Sequence, residues 1–73
     1  MSKLNSKISW AIDKFNTEMD KGNKENLIDV ARKNIRLLGY IKKIYPNNKF
    51  PGWARNAIPE NYRNAAEKAG FNF

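Results

Sequence analysis

Five residues in the middle of the chain, Arg32, Lys33, Arg36, Tyr40 and Lys43, have the types and spacing to hold a polyanion. At about 100° per residue they fall within roughly 100° of one another on a helix. Cations about one turn apart can follow a phosphate backbone. Tyr40 can stack on a base or donate its hydroxyl to a phosphate. The same face also reads as ordinary solvated helix surface. Asp29 shares it, spaced to pair with Lys33 at i+4 and with Arg32 at i+3. Lys42 and Lys43 suit a helix C-terminus on dipole grounds alone.

A second constellation is Trp10, flanked by Lys3, Lys7 and Lys14. It lies on the side of its helix opposite the apolar stripe. A Trp among lysines is either a stacking platform for an unpaired base or an interface anchor, unless another segment folds across it. The third helix and the Phe71/Phe73 tail are the segments that could. A third constellation is the connector Phe50-Pro51-Gly52-Trp53-Ala54-Arg55. With Phe71 and Phe73, its Phe50, Trp53 and Arg55 have the composition of a protein-interface hot spot, or of aromatics that clip a loop onto a small core.

Other chemistries are thinly represented. The 73 residues contain no Cys and no His, which removes thiolate nucleophiles, imidazole bases and the common zinc ligands. Asp13 and Asp20 are close in angle on the first helix, but seven residues, about 10 Å, apart along its axis. They make a poor shared-proton pair. No Gly-rich phosphate loop or Ca²⁺-binding loop is present. The expectation is a non-enzymatic protein with no metal and no cofactor.

The formal net charge is +7, and it is uneven. Residues 1–20 are neutral, residues 21–45 carry +5 and residues 46–73 carry +2. Ten Lys, eleven Asn and seven Ile are all favoured by AT-rich codons, so part of the charge reflects composition drift of the kind found in AT-rich bacteria and phages. The opening Met-Ser-Lys-Leu-Asn lacks a signal-peptide apolar region, and the longest apolar run falls far short of the roughly 20 residues of a spanning helix. A cytoplasmic location is expected.

These side chains must be positioned by a small all-α fold, read here as one domain over residues 1–73. Three helical segments are predicted, forming a three-helix bundle. The first runs from about Lys3 to Asp20, with Ser2 as cap and Gly22 as a left-handed terminator; Leu4, Ile8, Ala11, Ile12, Phe15 and Met19 form its core stripe. The second is long and central, from about Lys24 to Tyr45, with Asn23 as N-cap and Pro46 as its stop. Its apolar set, Leu27, Ile28, Val30, Ala31, Ile35, Leu37, Leu38, Ile41, Ile44 and Tyr45, covers roughly 200°, which requires partners on two sides. Gly39 inside it is a candidate for close helix approach. An aromatic and Pro-rich connector, 46–58, pegged by Phe50, Trp53 and Ile58, leads to a short third helix from about Pro59 to Ala69, with Tyr62, Ala65, Ala66 and Ala69 inward and Gly70 as its C′ residue. Residues 65–71 are similar to the first helix and turn of a helix-turn-helix unit, but no recognition helix follows within the 73 residues.

Two functions fit this pattern. One is a basic module binding RNA or DNA with low sequence specificity through the second helix, with Trp10, Lys7 and Lys14 contributing. The other is a small regulator or inhibitor, of the kind phages encode, docking on an acidic surface of a nucleic-acid-handling protein through its cations and the anchors Phe50, Trp53, Arg55, Phe71 and Phe73. A homodimer through the wide apolar side of the second helix is a further option, because small bundles gain stability that way.

Overall fold

The computed structural model describes residues 3–73. Ser2, expected to cap the first helix, lies outside the described residues. α1 spans Lys3–Lys21 and buries Ile8, Ala11, Ile12, Phe15 and Met19, with Leu4 half-buried at its start. This is the stripe that period 3.6 demands. α2 spans Leu27–Ile44 and packs against both α1 and α4 (Glu60–Lys68), so its two-sided apolar surface has two partners. α3 is a short helix, Gly52–Asn56, that touches α1. A 3-10 turn at Pro46–Asn48 joins α2 to the α3 region. The described residues contain no strand. The radius of gyration, 11.5 Å, is that of a folded chain of this length, about 11 Å.

The connector between α1 and α2 departs from expectation. α2 begins three residues later than the expected start at Lys24, at the first residue of its apolar set, and its cap is Asn26, not Asn23. The Asn26 side-chain oxygen accepts the Ile28 N–H at 2.9 Å, while its carbonyl accepts from Val30. Residues 22–25 form a turn instead. Gly22 is buried there, but it is not in the left-handed region. It is needed for space: a Cβ at this position would sit 2.6 Å from Val30 Cγ2 and 2.9 Å from Val30 Cγ1. The close approach expected of Gly39 occurs at Gly22. Nothing lies within 4 Å of a Cβ at Gly39.

At the other end of α2, Pro46 forces Tyr45 into extended backbone, and the helix stops. Asn47 and Asn48 both adopt positive φ, 63° and 53°, a conformation Asn tolerates better than most residues. The connector then forms α3, a helix not expected from the sequence. A single turn has little stability of its own. Here Ala54 and Ile58 are fully buried, and Asn16 of α1 donates to the Ala57 carbonyl at 3.2 Å. Of the three expected pegs, Ile58 is sealed and Phe50 half-buried, but Trp53 is 45% exposed. It projects from α3 because Ala54 is the residue that turns inward.

α4 starts after Pro59, which serves as N-cap rather than as the first helical residue. It buries Tyr62, Ala65 and Ala66. Gly70, at φ 108°, ends it: the Phe71 N–H reaches the Ala66 carbonyl and the Gly70 N–H reaches that of Glu67, a Schellman closure. The Tyr62 hydroxyl donates to the Asp20 carboxylate, tying α4 to the end of α1.

Two measurements test these contacts. Gly22→Ala must push Val30 aside and is expected to cost about 1–3 kcal/mol, whereas Gly39→Ala, into open space, is expected to stabilise by about 0.5–1 kcal/mol. Thermal unfolding should move in opposite directions for the two variants. The second test concerns pH. The hydrogen bond to Asp20, followed by burial and the negative charge of Asp20, raises the Tyr62 phenol above its ordinary value of 10.0. A raised folded-state value favours the protonated phenol. Its stabilisation is complete below about pH 10 and fades as pH climbs through the raised value. Tyr62→Phe should therefore show a shallower alkaline decline than the parent protein. An equal slope in both would contradict the assignment.

Candidate nucleic-acid interface

The outer face of α2 is fixed by what its inner face buries. Val30, Ala31, Leu38 and Ile41 are inside. They centre roughly 160° around the helix from the cation set, so Arg32, Lys33, Arg36 and Lys43 all emerge into solvent. Tyr40 is among them, 36% exposed. Arg32 is held by Asp29 at 3.1 Å. The alternative pair expected on spacing, Asp29 with Lys33, does not form. Lys33, Arg36 and Lys43 make no hydrogen bond or ion pair among the described residues. An ion pair this exposed is worth about 0–1 kcal/mol, so Arg32 is easily released to a stronger anion.

Lys42 is not part of this face. It is half-buried on another flank of α2, where its Nζ donates to the Asn72 carbonyl at 2.8 Å and sits 5.6 Å from the Phe71 ring centroid. Phe50, Phe71 and Phe73 meet there as a triangle of edge-to-face rings, with centroids 5.8, 5.0 and 4.8 Å apart. These three candidate anchors are thus brought together, half-buried and facing one another. The other two, Trp53 and Arg55, are exposed on α3.

The aromatic triangle also explains why Trp10 stays uncovered. The tail that could have folded across it is held at Phe50 and Lys42 instead. Trp10 is 59% exposed, the most open large apolar side chain described. Lys7 and Lys14 are exposed one turn to either side of it. On α1, Asn16 and Asp20 face the α3–α4 end through their bonds to Ala57 and Tyr62. The Trp10 stripe lies roughly 110–150° around the helix from them. Lys21 was not among the sequence-derived candidates, yet it lies on this stripe. The signal was the seven-residue spacing Lys7, Lys14, Lys21.

Among the described residues no group of acids could hold a metal ion, no helix is long and apolar enough to cross a membrane, and no pocket is present. Comparison with models of known protein families, with curated proteins and with solved structures finds no match.

The placement of the aromatics is testable by stability. Phe50→Ala removes two of the three ring contacts and is expected to cost about 1–3 kcal/mol. Trp10→Ala, at a solvent-exposed site, should stay within about 0.5 kcal/mol of the parent. Denaturant melts of the two variants would contradict the assignment if the losses were equal.

Proposed function

We propose that the protein is a non-enzymatic helical module that binds nucleic acid, with low sequence specificity, through the outer face of α2. The observation that supports this reading is the row Lys33, Arg36 and Lys43, all exposed and without an anionic partner among the described residues, with Tyr40 between them. Arg32 joins them once it exchanges Asp29 for a phosphate. Point charges on a single helix face contact phosphates and read no bases, so affinity depends on salt more than on sequence.

Three neutralised phosphates give a log–log salt slope of about −2.7 on duplex, and four give about −3.6. Between 50 and 200 mM salt the affinity should fall roughly forty- to 150-fold. Asp29→Asn frees Arg32 and removes the only acid on the face; it should tighten binding at low salt. Fluorescence anisotropy with a labelled oligonucleotide checks both expectations. No binding at 50 mM salt, or binding indifferent to salt, would sink the proposal.

The exposure of Trp53 beside Arg55 supports a second reading, a regulator docking on an acidic protein surface. In that case Trp53→Ala weakens a protein complex that survives nuclease treatment, and leaves oligonucleotide binding unchanged.

A further inference from the structure

The α2 face accounts for phosphate contacts but makes no use of Trp10, on a different helix. Large apolar side chains are scarce in a small core, and this one is spent on the surface at 59% exposure. Its surroundings restrict what it can meet. Lys3, Lys7, Lys14 and Lys21 line one side of it, with Lys21 4.0 Å from Glu18; the exposed Asp13 stands one turn away on its other side, and no other exposed large apolar side chain of α1 adjoins it. The core of a protein interface is depleted in Lys, and its anchors are ringed by contacts that exclude water. A Trp in a lysine field is a poor match for that. It is a good match for unpaired nucleic acid, where a base offers a free ring face and its flanking phosphates need cations. Duplex offers no such face, because its bases are already stacked.

The second long helix repeats the arrangement. On α1, Trp10 has Lys7 three residues before it and Lys14 four residues after. On α2, Tyr40 has Arg36 four residues before it and Lys43 three residues after. In both, an exposed ring stands between two exposed cations, each about one turn, or roughly 4.5–6 Å, away along the axis. Each unit could take one base and the phosphates on either side of it.

We propose that the ligand is single-stranded nucleic acid, with Trp10 as a base-stacking platform between Lys7 and Lys14. This rests on the nucleic-acid reading of α2 and goes beyond it in naming the strand state and a second contact surface.

The test uses the full chain with Trp53→Phe, which leaves Trp10 as the sole tryptophan. An oligothymidylate and a duplex of equal length are titrated at 50 mM salt while tryptophan emission is followed. The expected result is quenching of Trp10 by the single strand and tighter binding of it than of duplex. Trp10→Ala should lower single-strand affinity roughly ten- to hundredfold, the effect of losing one stacked base, and barely change duplex affinity. Trp10→Phe, which keeps a ring, should retain most of the affinity, and circular dichroism should show both variants folded. Single strand and duplex binding alike, with Trp10→Ala neutral, would overturn the stacking platform and leave the α2 reading standing. Failure of both ligands to bind would overturn the α2 reading itself. If Trp10→Ala leaves oligonucleotide binding intact but abolishes a nuclease-resistant protein complex, Trp10 is a protein anchor and the proposal is wrong.

Discussion

Val30, Ala31, Leu38 and Ile41 must leave water together, and that requirement decides where every other side chain of α2 goes. Fully burying side chains of this size contributes about 1.5–3 kcal/mol for each of the larger ones, more than any exposed ion pair on the same helix can offset. The rotation of α2 about its axis is therefore set from the inside. Its cations point outward as a consequence, and the core beneath fixes where along the helix each of them is rooted. Gly22 reinforces the setting. Its missing Cβ lets the α1–α2 turn close against Val30, which holds one end of the helix at a fixed height.

The tail makes a comparable choice on the other flank. Phe71 and Phe73 could have sealed Trp10, and their burial would have supported the core either way. They pair with Phe50 instead, and the Schellman closure at Gly70 aims the chain in that direction. Lys42 completes that corner by bonding the Asn72 carbonyl. One cation of the basic segment 21–45 is thereby used structurally, and another, Arg32, is lightly held by Asp29. Codon drift can raise the number of lysines. It does not by itself explain two exposed rings each standing between cations on neighbouring turns.

Much of this was legible in the sequence. The α1 stripe, the two-sided character of α2, the Pro46 stop and the Gly70 terminator follow from periodicity and from residues with restricted backbone freedom. What was not legible depended on long-range contacts. Asn23 and Asn26 are equally good caps locally; the fold uses the second, with Gly22 packed against Val30 in the turn before it. Gly39 looked like a contact point because propensity alone gives no reason for a glycine there; the space around it is open. α3 carries a Gly and follows a Pro, and it forms because Ala54 and Ile58 can be buried against α1. Of the candidate site, the α2 face was readable from angle alone. The exposure of Trp10 was not, since it turned on where a distant tail would dock.

The central claim is that α2 is buried on one side and presents its cations to a nucleic acid on the other. Amide chemical-shift mapping during titration with an oligonucleotide tests it most directly. The account predicts shifts concentrated at Lys33, Arg36, Tyr40 and Lys43, joined by Lys7, Trp10 and Lys14 when the oligonucleotide is single-stranded, with Val30, Leu38 and the residues of α4 little changed. Shifts confined to α3 and the tail, around Trp53 and Phe73, would contradict it.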